Sequence, residues 1–88
     1  MSDEEIFVEL RAICARILSV DPAVIAPDLD LRDELEADSL DMAELAAATE
    51  DRFKIVVDLD TAKQARTLAD VVTMVRDGGH QARAAQAG

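Results

Sequence analysis

Asp38-Ser39-Leu40-Asp41-Met42-Ala43-Glu44-Leu45-Ala46-Ala47-Ala48-Thr49-Glu50-Asp51-Arg52-Phe53 is the stretch on which the fold turns. Its apolar residues recur at helical spacing. Met42, Leu45, Ala46, Thr49 and Phe53 fall at i, i+3, i+4, i+7 and i+11, a stripe suited to a core. Leu40, Ala43, Glu44, Ala47 and Asp51 repeat that spacing on a second stripe, which mixes small apolar residues with acids. Such a face is exposed and yet adhesive. Asp38 is a good N-cap, and Asp41 three residues on completes a box with it. Arg52 and Lys54 complement the negative end of the helix dipole. The spacing therefore predicts a helix beginning at Ser39.

Upstream, Ser2 and Glu5 form a capping box ahead of a second helical stripe made of Ile6, Phe7, Leu10, Ile13, Cys14, Ile17 and Leu18. Asp21-Pro22 ends that helix. A long connection from Ser19 to Ala37 follows, with Val24, Ile25, Leu29, Leu31 and Leu35 expected to pin it across the helices. Downstream, Ile55, Val56 and Val57 are β-branched, but the chain offers no second strand to pair with them, so they read as a packed connector. A short helix is expected over Asp60–Ala65. Thr67, with Asp70 at the third position, then caps a last helix whose stripe is Leu68, Val71, Val72 and Val75. Gly78-Gly79 closes it. The predicted fold is all-α: a small four-helix bundle of three longer helices and one short one, with a long first connection. Residues 1–77 form its single domain and 78–88 a flexible tail.

The chain has 88 residues, too few for two cores, and half of them are hydrophobic. Phe7 and Phe53 are the only aromatics, so aliphatic side chains must fill the interior. The net charge of −10 argues against nucleic acid, whose phosphates need clustered Lys and Arg. No apolar run reaches the length of a membrane span. With no secretory leader and one cysteine, Cys14, the expected compartment is the cytoplasm. One histidine, His80, and one cysteine make no zinc site, and a Cys–His nucleophile pair is not expected. From Asp28 to Asp51 there are ten acids and one base, Arg32, so this window holds nine of the ten net negative charges. A calcium loop starting at Asp28 fails on spacing: Arg32, Asp33 and Ser39 occupy positions that need an oxygen ligand, a glycine and a glutamate.

Within that window, Glu36-Ala37-Asp38-Ser39-Leu40-Asp41 places a serine on the first turn of a helix, after a long connection and between acids. No base accompanies Ser39, and adjacent carboxylates disfavour an alkoxide. The hydroxyl is better suited to modification by another protein. A phosphate attached there meets the N–H groups and the positive end of the dipole.

On these residues the chain resembles the acyl carrier protein family. Asp38-Ser39-Leu40-Asp41 looks like its Asp-Ser-Leu motif, flanked by Leu35, by Glu44-Leu45, by Phe53 closing the helix and by Thr67-Leu68 opening the last one. The resemblance covers about Ile6 to Arg76. It implies a discrete carrier that catalyses nothing itself. Ser39 receives 4′-phosphopantetheine from coenzyme A, delivered by a phosphopantetheinyl transferase with Mg²⁺. The arm holds acyl groups as thioesters for enzymes of fatty acid, polyketide or specialised lipid synthesis. Those enzymes, of ketosynthase, acyltransferase or ligase type, are expected to dock a monomer through basic patches onto Asp38, Leu40, Asp41, Ala43, Glu44, Ala47, Glu50 and Asp51. The acyl pocket is expected at Met42, Leu45, Ala46, Thr49 and Phe53, and no metal site is expected. The alternative is a small acidic interaction module without a prosthetic group.

Several positions depart from the family pattern. Glu36 stands where glycine is common, Asp58 where proline is usual, and Ala65 where a bulkier residue is found. Ala46 and Thr49 replace larger aliphatics. Either a cavity remains, which admits a bulkier acyl group and lets the Thr49 hydroxyl meet a polar substituent, or the helices close in, Met42 fills the space and no pocket is left; some enlargement is the favoured expectation.

Overall fold

The computed structural model describes residues 2–78. His80 and, apart from Gly78, the expected tail lie outside them. The first helix, α1, spans Asp3–Leu18. The Ser2 hydroxyl accepts the Glu5 N–H at 3.2 Å, and Glu5 Oε1 accepts the Ser2 N–H at 3.0 Å. Ile6, Leu10, Ile13, Cys14 and Ala15 are its buried residues. The helix stops at Ser19, whose φ of 58° turns the chain left-handed.

The long connection is more ordered than its sequence suggests. Asp21 caps a 3₁₀ turn at Pro22–Val24. Asp30 Oδ1 accepts the N–H groups of Arg32 at 3.0 Å and Asp33 at 2.9 Å, and this nucleates a short helix, α2, over Leu31–Leu35. Of the five expected pins, Ile25 and Leu31 are fully buried, whereas Val24 is 51% exposed. A basic side chain from far along the chain completes the attachment. Arg66 Nε donates to Asp30 Oδ2 at 2.7 Å, and its guanidinium also pairs with Asp33 at 3.2 Å. Main-chain bonds run alongside: the Leu31 N–H donates to the Arg66 carbonyl at 2.7 Å and the Ala69 N–H to the Pro27 carbonyl at 2.9 Å.

Helix α3 spans Ser39–Phe53, starting where the sequence predicts. The connector at 54–58 is neither helix nor strand, with Ile55 and Val57 half-buried. Helix α4 covers Leu59–Gln64, one residue earlier at each end than expected, with Asp58 as its cap. The Asp58 carboxylate accepts both the N–H and the hydroxyl of Thr61 at 3.0 Å. At the position where proline is usual in the family, aspartate thus starts the helix by a side-chain bond. Helix α5 covers Leu68–Thr73 behind the Thr67–Asp70 box and loosens into a π-helical turn at Met74–Gly78.

Helix α1 packs on α3 and α5, and α3 packs on α4. Leu10, Leu31 and Leu68 are completely buried between them. No strand occurs among the described residues. The core joins three helices to the loop, so Leu31 is as much a core residue as Leu10. Leu31→Ala should cost about 2–5 kcal/mol, typical of a buried leucine, and a urea titration followed by circular dichroism measures it.

Candidate functional site

The turn that delivers Ser39 is built by α2. The N–H groups of Glu36 and Ala37 both close onto the Leu31 carbonyl, and Glu36 has φ 58° and ψ 29°. Left-handed backbone is where glycine is cheapest, and a glutamate there is strained. Ala37 is buried, while Asp38, Ser39 and Leu40 emerge into solvent. Asp38 Oδ1 accepts the Asp41 N–H at 2.9 Å, and Asp41 Oδ2 accepts the Asp38 N–H at 3.1 Å. Both carboxylates are thus turned onto the backbone and away from duty as a base for Ser39. Of the first turn's orphan donors, the box uses two; the N–H groups of Ser39 and Leu40 are the ones it does not use. An exposed hydroxyl at the head of this 15-residue helix fits a covalently held phosphate.

Around the serine, the outer stripe of α3 is presented as its sequence predicts. Leu40 is 68% exposed. Glu44, Ala47 and Asp51 are exposed, and Ala43 is half-buried. Glu50 differs from its neighbours. It is half-buried, and its carboxylate accepts the Val57 N–H at 2.7 Å. Arg52 is drawn out of the acidic face by a two-pronged bond to Glu9, at 2.8 and 3.1 Å.

The inner stripe lines a seam with the rest of the bundle. Met42, Leu45, Ala46 and Thr49 of α3 meet Val57, Ala62, Val71 and Met74 there, while Phe53, expected with them, packs on the core elsewhere. The cavity left is about 10 Å³, roughly the room of one water molecule. Small side chains at 46 and 49 predict space; instead their neighbours close in, with two flexible methionines filling the gap. The Thr49 hydroxyl is also committed, donating to the Leu45 carbonyl at 2.7 Å in its own helix. Wider grooves of about 400 and 340 Å³ lie on other faces, and neither is lined by any residue between 36 and 47.

The decisive observation is how much of the chain matches a known family. A family model described as a phosphopantetheine attachment site matches residues 8–75. The chain belongs to that family. It is 35% identical over 77 residues to an acyl carrier protein of Thermosynechococcus vestitus, covering 88% of this chain and 95% of that one. To an acyl carrier protein of Exiguobacterium sibiricum it is 35% identical over 75 residues, 85% of this chain and 95% of the other. A meromycolate extension acyl carrier protein of Mycobacterium leprae is 32% identical over 76 residues, 86% of this chain and 66% of that one. The prosthetic group is therefore 4′-phosphopantetheine, and the protein is an acyl carrier.

Cys14 has no part in this chemistry. It is 2% exposed, and burial, with Asp41 adding to it, pushes its thiol up to about 11. Both folded and unfolded forms keep the proton below the ordinary thiol value of 9.0, so the shift has no effect on stability there; above it the unfolded chain gains by ionising and the fold loses stability. At pH 8 Cys14 should resist a thiol reagent in the native protein and react at once in urea, as mass spectrometry will read. Labelling of the native carrier then reports only the thiol of its arm.

The strain at Glu36 gives a second expectation. Glu36→Gly should stabilise the carrier by about 1 kcal/mol. Glu36→Gln removes the charge but keeps the strained backbone, so chemical unfolding of the two variants separates backbone from charge.

Proposed function

We propose that Ser39 is the attachment point and that the outer face of α3 is where enzymes dock. One observation carries the reading: Ser39 is the exposed first residue of a 15-residue helix, held there by a reciprocal Asp38–Asp41 box. In the modification, Ser39 Oγ forms a bond to the phosphorus of coenzyme A's pantetheine phosphate. The pyrophosphate bond breaks, the nucleotide leaves, and the serine proton passes to the transferase, since both neighbouring carboxylates are engaged in the cap. When bound, the group supplies a thiol that holds an acyl chain as a thioester. The protein catalyses nothing by itself; it presents the chain at a high effective concentration to whichever enzyme is docked.

Asp38, Asp41, Glu44 and Asp51 give the docking face its charge, and Leu40, Ala43 and Ala47 its apolar centre. Exposed charges steer encounter and add little to lifetime, which suits a carrier that must change partners. The partners are a phosphopantetheinyl transferase and acyl-processing enzymes with basic patches. The acyl groups are those of fatty acid, polyketide or specialised lipid synthesis, and the carrier works as a monomer in the cytoplasm. Among the described residues no helix is long and apolar enough to cross a membrane. The seam under α3 is the resting place for the acyl chain, opened by displacement of Met42 and Met74.

Incubation with a transferase, Mg²⁺ and coenzyme A should add the mass of the arm to the wild type and nothing to Ser39→Ala, whose circular dichroism stays the same. Modification of that variant at another residue would overturn the assignment. Reversal of charge by Glu44→Lys should slow the same transfer about tenfold at low salt. Since exposed charges are screened within about 10 Å at 0.1 M salt, the difference should shrink as sodium chloride is added.

A further inference from the structure

A groove of about 340 Å³ runs between α1 and α3, towards the end of α3 away from Ser39. Each helix turns one stripe towards it. On α1 the stripe is Glu9, Ala12, Ile13 and Arg16, at i, i+3, i+4 and i+7; on α3 it is Ala48, Asp51 and Arg52, at i, i+3 and i+4. Ile13 is buried and Ala48 half-buried, so the floor is apolar. Glu9 and Arg52 bridge the groove with bonds of 2.8 and 3.1 Å and cancel each other's charge. One charge then remains on each rim. Asp51, which also belongs to the outer stripe of α3, pairs with Lys54 only at 3.9 Å, and its side chain is 89% exposed. Arg16 is exposed in the last turn of α1, and its guanidinium makes no hydrogen bond or ion pair among the described residues.

We infer that this groove carries the docking face across onto α1, and that its occupant is a segment of the docked enzyme bearing a carboxylate opposite Arg16, beyond the basic patch that meets α3; this rests on the reading of α3's outer face as the docking surface. The groove is continuous with that face, since Asp51 is a member of one and a wall of the other. Its charge also changes sign from rim to rim. Asp38, Asp41, Glu44 and Asp51 present a single sign along α3, and a uniformly basic patch can meet such a helix in either direction. A cation to one side of the far end, about 18 Å along the helix from Ser39, removes that freedom. An enzyme with its acid opposite Arg16 binds with Ser39 at the other end, directed at its active site. An enzyme that is basic throughout, or turned end for end, brings like charges together there. Arg16 is thus a specificity-determining residue, and the small side chains of Ala12 and Ala48 leave room for the arriving segment.

The test uses a ketosynthase from the same genome, at low salt, with an octanoyl chain on the arm of the carrier. Arg16→Glu makes the carrier more negative by two charges. Steering towards an enzyme that is basic throughout should then quicken transfer. A carboxylate opposite Arg16 predicts the reverse, a fall of about tenfold in kcat/KM carried by KM. Arg16→Gln should lie between, and Arg16→Lys should stay near the wild type. Arg16 also complements the negative end of the α1 dipole, so urea titrations of the unloaded variants check the fold, and Arg16→Gln takes over should Arg16→Glu fail to fold. In nuclear magnetic resonance spectra, added enzyme should perturb the Ala12 and Ala48 amides of the wild type and spare them in Arg16→Glu. A rate that rises or holds in Arg16→Glu overturns the proposal, as do Ala12 and Ala48 amides indifferent to the enzyme. Glu44→Lys keeps the two readings apart. A rate unmoved by Glu44→Lys counts against docking on the outer face of α3, whereas a rate that falls with Glu44→Lys but not with Arg16→Glu counts against the groove alone.

Discussion

The bond from Arg66 to Asp30, with the Leu31 N–H donating to the Arg66 carbonyl beside it, is the constraint on which the rest of the molecule depends. It ties the long connection to the junction of α4 and α5. With the loop held there, Leu31 enters the core, α2 completes its turn, and the left-handed Glu36 aims the chain into α3. The turn that leads to the exposed Ser39 is thus tied to a guanidinium contributed from 27 residues further along. A loop of this length held only by scattered aliphatic contacts would let the serine wander. The pair itself is solvent-exposed, so its value is in geometry rather than in large Coulomb energy.

The distribution of charge follows from the same economy of bases. Nine of the ten net negative charges lie between residues 28 and 51; Arg66 answers two of those acids, while Arg52 and Arg76 pair with acids outside the window. Arg66 pairs with Asp30 and Asp33 at the loop, and Arg52 with Glu9 across α1 and α3. Arg76 pairs with Asp3 where the last helical segment meets the first helix. Each joins elements distant in the chain. Glu44 and Asp51 of α3's outer stripe are left facing solvent.

Two features of the interior go together. The core is almost wholly aliphatic, and its thinnest part is the seam under α3, where two alanines, a threonine and two methionines meet. Thr49 behaves there as an apolar residue, since its hydroxyl is satisfied by Leu45, and no buried side-chain nitrogen or oxygen among the described residues lacks a partner. Small and flexible side chains make a closed seam inexpensive to open.

Helix starts were legible in the sequence because their causes are local. The Ser2–Glu5, Asp38–Asp41 and Thr67–Asp70 boxes each span three residues, and each forms as read. The buried stripe of Met42, Leu45, Ala46 and Thr49, and the family motif around Ser39, were equally plain, since periodicity and a short motif need no knowledge of distant partners. Other features were not legible. Asp30 reads as one acid among ten until Arg66 is folded against it. Glu50 reads as a surface charge until the left-handed turn at Lys54 brings Val57 back to it, seven residues on. Closure of the seam despite small residues at 46 and 49 depends on Val57, Ala62, Val71 and Met74, all supplied by later segments. Caps and stripes are set by neighbours along the chain. The pinning of the loop, the strain at Glu36 and the closing of the seam are set by residues that meet only once the helices have packed.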